Sequence, residues 1–223
     1  MKGPAIPVAQ RMGILPQLRG LATRNRSLTL LDPDGRRILQ LPLTSDEAPT
    51  VEVTRADLSE ALHRSARTEA EFLFDDTVTA LDQDGGGVDV TFRRSAPRRF
   101  DLVVGADGMH STVRRLVFGP ERQFVSDLGL YGATVPLEPD AIEDPSEMTM
   151  LTVPNRMLVV HPSRTALLAI FTFRAAQLAP HDRKNIALHK QTVADAYADV
   201  RWRAPELVAA THRPVTGRCV APR

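Results

Sequence analysis

Asp101-Leu102-Val103-Val104-Gly105-Ala106-Asp107-Gly108-Met109-His110-Ser111-Thr112-Val113-Arg114 is the stretch that decides the fold. Phe100 to Val104 is apolar apart from Asp101, as a buried strand is. The spacing predicts a strand over 100–104, a turn at Gly105–Gly108 and a helix from about Ser111 to Phe118, capped by Ser111. Open α/β sheets place ligands at the C-terminal ends of their strands. Glycines there let the backbone approach a ligand closely. Asp107 would sit at the mouth of the sheet, able to accept hydrogen bonds from sugar hydroxyls and free of internal salt bridges. The plainer alternative, a strand-turn-helix with Asp107 as a turn residue, stays open on these grounds.

Upstream, Pro4 to about Arg19 reads as a broken helix, with Val8, Met12 and Leu15 on one face and Gly13 and Pro16 interrupting it. Ser27–Leu31 and Arg36–Leu41 read as strands joined by the turn Asp32-Pro33-Asp34-Gly35. Pro42 to Pro49 reads as a loop and Val51–Val53 as a short strand. Thr54 is a helix N-cap, with Asp57 in the first turn of a helix over Arg55–Ala66 that turns Leu58, Ala61 and Leu62 inward. Glu71–Phe74, Thr77–Asp82 and the alternating Val88, Val90 and Phe92 read as strands, the last two joined by the turn Asp84-Gly85-Gly86-Gly87.

Downstream of Gly119-Pro120 the pattern changes. Leu128–Leu137, Met148–Val153, Met157–His161 and Thr165–Phe173 read as an antiparallel meander broken at Pro154-Asn155 and Pro162-Ser163. Helices over about Arg183–Val200 and Pro205–Ala210 follow. Tyr131, Met150 and Phe171 read as sheet core. The expected class is α/β plus β, with boundaries near residues 120 and 200.

Composition narrows the function classes. The 223 residues carry 28 Lys and Arg against 27 Asp and Glu, a net charge of +1. So balanced a chain gives no electrostatic ground for nucleic-acid binding. The basic residues after Arg201 read as a solvated tail. A lone cysteine, Cys219, excludes an intrachain disulfide framework and a Cys-based zinc site, and fits a reducing cytoplasm. His181 and His189 lack the spacing of a helical metal-ligand pair, so no metal is expected. No stretch approaches the roughly 18–20 apolar residues that cross a membrane, and Met1–Gln10 has no apolar signal core.

The segment 101–114 resembles the Asp-Gly fingerprint of the single-component flavoprotein aromatic hydroxylases, the para-hydroxybenzoate hydroxylase-like FAD monooxygenases. Val51-Glu52-Val53-Thr54-Arg55-Ala56-Asp57-Leu58-Ser59-Glu60-Ala61-Leu62 resembles the same family's strand, arginine and helix. Gly3-Pro4-Ala5 and Arg11–Leu15 resemble its bacterial branch of tetracycline- and polyketide-modifying enzymes. The resemblance implies an incomplete FAD-binding Rossmann-like domain over residues 1–120. It implies an antiparallel substrate-binding sheet and helix over 121–200, flooring the substrate pocket from about 124 to 174, and a divergent tail over 201–223. It implies that Asp107 and Gly108 meet the ribityl-pyrophosphate region of FAD. Arg55 would lie near the FAD, where its charge can pair with pyrophosphate, and Val78 would belong to the strand beside the adenine. NADH or NADPH would be the co-substrate, and an aromatic or polyketide-like molecule would be hydroxylated with dioxygen.

The departures matter too. The family's opening G-x-G-x-x-G turn and ribose-binding acidic residue are absent from these 223 residues. Gly217-Arg218-Cys219-Val220 resembles only the run-in to the family's later Gly-Asp motif. The expectation is therefore a chain truncated at both ends, binding FAD weakly or not at all alone. Leu102, Val103, Val104, Val113 and Val117 would be unusually exposed. Three readings remain: an inactive truncated homologue, the middle piece of a split gene that works with the missing portions, and a non-catalytic small-molecule-binding remnant.

Overall fold

The computed structural model describes residues 3–23, 25–43, 50–142, 144–164, 166–175 and 185–212. Most of the expected loop at 42–49, the start of the expected helix at 183, Thr165, His181 and the whole run from residue 213, including Cys219, lie outside them. In chain order the elements are α1 (Ala5–Arg11), α2 (Leu15–Leu21), β1 (Ser27–Leu31), β2 (Arg37–Pro42), α3 (Arg55–Ala66), β3 (Val78–Asp84), β4 (Gly87–Phe92), β5 (Arg98–Phe100), α4 (Thr112–Val117), β6 (Leu130–Leu137), β7 (Glu147–Val153), β8 (Arg156–Pro162), β9 (Leu167–Arg174), α5 (Ile186–Ala196) and α6 (Ala204–Ala210). They pack into two units, one of Met1–Thr68 with Gly129–Pro222 and one of Glu69–Leu128.

The first unit holds a six-stranded sheet in the order β2-β1-β7-β8-β9-β6. Its strands are antiparallel except for β1 on β7, which is a parallel pair. The expected simple meander is corrected here, because β6, first of its four strands in sequence, lies at the far edge against β9. Strand order is set by which apolar faces can be buried together, and local periodicity does not encode it. The β1–β2 hairpin forms as its turn chemistry demands. Asp32 Oδ1 accepts the amides of Asp34 at 2.9 Å and Arg36 at 2.8 Å. Gly35 has φ +84°, and a Cβ there would lie 2.5 Å from Trp202 Cδ1.

Helices α5 and α6 cover one face of this sheet. Leu158, Val160, Ala169, Phe171 and Phe173 meet Val193, Tyr197 and Leu207 in the main core. The Tyr197 hydroxyl is shared between the carbonyls of Met157 at 2.7 Å and Thr172 at 2.9 Å, so the buried phenol is satisfied. Asn185 caps α5 through the Leu188 amide at 3.0 Å. A second, smaller core joins α1, α2 and α3 through Ile6, Ala9, Leu15, Leu18 and Ala61. Three expectations are corrected in this region. Val8 and Met12 are exposed while Leu15 is buried, because the break at Gly13 (φ +72°) reorients α2. Leu62 also faces outward. Val51–Val53 is extended but forms no strand.

The second unit holds the sheet β3-β4-β5. The expected buried strand over 100–104 does not form. β5 ends at Phe100, pairs with β4 on one side only, and is followed by irregular backbone through Gly108. Leu102 is 75% and Val104 76% exposed. A strand needs a ladder partner for its amides and carbonyls, and no described strand lies against residues 101–104. Val117 is likewise exposed, whereas Val103 and Val113 are half-buried. Glu71–Phe74 is not a strand either; Phe72 and Phe74 stack on each other with ring centroids 5.8 Å apart. Among the described residues no helix is long and apolar enough to cross a membrane.

Candidate functional site

Of the four residues singled out, Arg55 belongs to the first unit and Val78, Asp107 and Gly108 to the second. Asp107 precedes α4, and its carboxylate is already engaged. Oδ1 accepts the Ser111 hydroxyl, and Oδ2 accepts the amides of Thr112 at 2.6 Å and Val113 at 3.2 Å. Ser111 in turn accepts the Arg114 amide at 2.9 Å as the helix N-cap. These bonds, the Ser111 hydroxyl foremost, hold the Asp107 carboxyl below the usual carboxylate range and keep it anionic. The hydrogen-bond partners of the Asp107 carboxylate among the described residues are Ser111, Thr112 and Val113. The placement of Asp107 at the end of a paired strand is corrected: it follows unpaired backbone.

The two glycines of the turn serve different ends. Gly105 is required by packing, since a Cβ there would lie 2.9 Å from a methyl of Val113. Gly108 has φ +87°, and the space beside its Cα is open, so another molecule can approach its backbone. Val78 opens β3 and is half-buried, and α4 packs on this strand.

Arg55 is the first residue of α3. Thr54 caps the helix by accepting the Asp57 amide at 3.1 Å and donating its hydroxyl to the Asp57 carboxylate at 2.8 Å. The Arg55 side chain is exposed and makes no ion pair with a described residue. It remains available to an anion, as a pyrophosphate-binding arginine must be. Two cavities lie nearby in the first unit. One of about 310 Å³ is lined by Gln17, Leu21, Asp57, Glu60, Arg64 and Arg164 among others. The other, about 450 Å³, is an apolar groove between α1 and α3, lined by Val8, Met12, Leu58 and Leu62 among others.

Sequence reading missed two features. His161, near the end of β8, places Nε2 2.8 Å from Glu52 Oε1, and the other Glu52 oxygen accepts the Thr23 hydroxyl at 3.0 Å. The His161 bond is the main cause holding the Glu52 carboxyl below its ordinary value. No local spacing signals a pair 109 residues apart. The second feature is the sheet face turned away from α5 and α6. Leu39, Leu30, Met150, Val159, Ile170 and Thr134 form one continuous cross-strand row on it. Of the three residues expected as sheet core, Phe171 is in the core with Tyr131 packed against it, and Met150 is half-buried on this other face. A signal existed: Leu167 to Phe171 is apolar at every position, so both faces of β9 are apolar.

The FAD binding domain family matches residues 8–201. An uncharacterized protein of Mycobacterium tuberculosis (strain H37Rv) is 45% identical over 143 residues, covering 61% of this chain and 38% of that protein. A flavin-dependent monooxygenase of Legionella longbeachae is 24% identical over 215 residues, covering 93% of this chain and 54% of that one. The crystal structure of tetracycline destructase Tet(55) superposes with a TM-score of 0.80 at 24% identity, over 94% of this chain and 54% of that one. That of Klebsiella pneumoniae HpxO complexed with FAD and uric acid gives 0.65 at 20%, over 92% and 53%. At such identities the structures show a shared fold. The chain spans 38% to 54% of the length of these two sequence relatives.

Proposed function

The chain belongs to the FAD binding domain family, and from that premise we propose that it forms part of an FAD-dependent monooxygenase. The observation that carries the reading is the family match over residues 8–201, supported by similarity to relatives named as flavin-dependent monooxygenases. Arg55 would meet the pyrophosphate through its guanidinium. Gly108, with open space beside it, would let the flavin's polar chain approach the backbone. Asp107 would both cap α4 and offer the remaining lone pair of Oδ1 to a hydroxyl. Val78 would lie beside the adenine. The bound flavin supplies the redox and oxygen-activating chemistry that the side chains lack.

In this reading residues 1–120 serve the cofactor, and the sheet of 121–200 floors the site for an aromatic or polyketide-like substrate. NADH or NADPH is the reductant, the compartment is the cytoplasm, and the remaining parts of the enzyme come from sequence beyond residues 1–223. One observation favours a second reading, a binding remnant without catalysis: the Asp107 carboxylate is engaged by its own helix.

Titrating FAD into the chain and following flavin fluorescence tests the proposal. Weak, saturable binding that FMN does not match is expected, and Arg55→Ala should weaken it about tenfold, the scale of a charged hydrogen bond. Equal affinity for FMN, or no FAD binding by the chain assembled with the remaining parts of the enzyme, overturns it. FAD binding in the assembled enzyme without NAD(P)H-dependent oxygen consumption favours the remnant.

A further inference from the structure

Resting on the reading above, we propose that His161 is a positioning residue for the cofactor arginine: by holding the Glu52 carboxylate it keeps that carboxylate off Arg55, whose guanidinium stays open to a diphosphate. Residues 50–54 are extended but belong to no strand, so a sheet ladder does not fix them. Glu52 is fixed instead by bonds from two other segments. The Thr23 amide donates to its carbonyl at 2.8 Å. The Thr23 hydroxyl donates to Oε2 at 3.0 Å, and His161 Nε2 lies 2.8 Å from Oε1. A carboxylate only accepts, so Nε2 carries the proton and donates. Asn25 Nδ2, 3.4 Å from the same nitrogen, is a donor as well and cannot replace Glu52 there. The His161 ring is 12% exposed, and its Nδ1 is buried without a partner among the described residues. Glu52 is therefore the acceptor that holds the ring in place.

Arg55 follows Glu52 closely enough that their Cα atoms are at most about 11 Å apart even in a fully extended chain. Two side chains as long as glutamate and arginine can meet across that gap. Yet the Arg55 side chain is exposed and pairs with no described residue, while both Glu52 oxygens are occupied. Freed from His161, the half-exposed carboxylate becomes a competitor for the guanidinium. A phosphate group would then have to displace it, and the affinity for a diphosphate falls.

Two readouts test this. The first is FAD affinity, by flavin fluorescence, of the chain assembled with the remaining parts of the enzyme, with riboflavin, which has no phosphate, as control. His161→Ala should weaken FAD binding about threefold, the scale of an exposed ion pair that the ligand must break, and leave riboflavin unchanged. Adding Glu52→Gln to His161→Ala should restore FAD affinity, since no charge is left to compete; a merely structural loss would not be repaired by a second disruption. In an Arg55→Ala background neither change should matter. The second readout is exchange of the Arg55 Nε proton, followed by NMR in the chain without FAD. It should be slower in His161→Ala than in the wild type and fast again in the double variant. Unchanged Arg55 exchange in a folded His161→Ala overturns the proposal. So does FAD affinity that Arg55→Ala lowers and His161→Ala does not, or a loss that Glu52→Gln fails to restore. Should His161→Ala not fold by circular dichroism, Thr23→Val, which frees the other carboxylate oxygen, takes its place. Exchange that follows the pairing in an enzyme that binds no FAD sinks the flavin reading alone.

Discussion

Glu52 Oε1 lies 2.8 Å from His161 Nε2, fastening the segment that leads into α3 to the end of β8. Only two residues separate Glu52 from Arg55, so this contact bears on where the candidate pyrophosphate ligand is held. Hydrogen bonding to His161 depresses the Glu52 carboxyl, opposed in part by burial. For a depressed carboxyl the stabilisation is present above its ordinary value of 4.5 and is lost as pH falls through the lowered one. Glu52→Gln should therefore lower stability at neutral pH, by under about 1 kcal/mol for a half-exposed pair. The deficit should shrink as the pH is taken well below 4.5. Urea midpoints at neutral and acid pH measure this; a constant deficit would show that charge plays no part.

Asp107 organises the start of α4 by accepting the amides of Thr112 and Val113 and the Ser111 hydroxyl. Asp107→Ala should cost about 1 kcal/mol, as loss of a helix cap does. Asp107→Asn, which keeps one acceptor oxygen, should cost less. Hydrogen exchange of the α4 amides reads the effect locally. Unchanged protection in Asp107→Ala would show that the carboxylate is not the cap.

Burial pushes the Tyr197 phenol from its ordinary 10.0 up to about 12. A raised value means the stabilisation is whole below pH 10 and is lost as pH rises through 12. Stability should thus fall steeply across that window in the wild type and less steeply in Tyr197→Phe. At neutral pH Tyr197→Phe should cost about 1 kcal/mol, having lost the hydroxyl's bonds to the carbonyls of Met157 and Thr172. Tyr197→Ala should cost about 3–5 kcal/mol for the cavity left beside Phe171 and Phe173. Denaturant titrations at neutral and alkaline pH separate the two effects.

Local chemistry was legible in the sequence. The Asp32–Gly35 turn, the Thr54 and Ser111 caps and the alternation in β4 each rest on neighbours within a few residues. Long-range choices were not. Nothing near β1 says that it runs parallel to β7, and nothing near Glu52 points to His161. The Phe100–Val104 run shows the limit best. Its composition is that of a buried strand, but burial needs a partner surface, and no described strand supplies one. The residues proposed for the cofactor came from resemblance to a family, since Arg55 and Asp107 look locally like ordinary residues of a first turn and a cap.

That unpaired run leads to the last prediction. Leu102 and Val104 are three-quarters exposed, and Phe118 is 67% exposed in the same unit. Each such side chain gains about 1.5–3 kcal/mol when fully buried. Backbone that no described strand pairs with beside them offers a template for pairing with another chain. The isolated chain should therefore self-associate with rising concentration, and Leu102→Lys with Val104→Lys should suppress it without lowering the melting temperature, since neither side chain is packed in the native unit. Co-expression with a fragment supplying a strand for residues 101–104 should also suppress association and protect their amides from exchange. Sedimentation velocity across a concentration series distinguishes the outcomes. A wild-type chain that stays monomeric throughout would mean that this apolar run is tolerated in water, and that its exposure marks no missing surface.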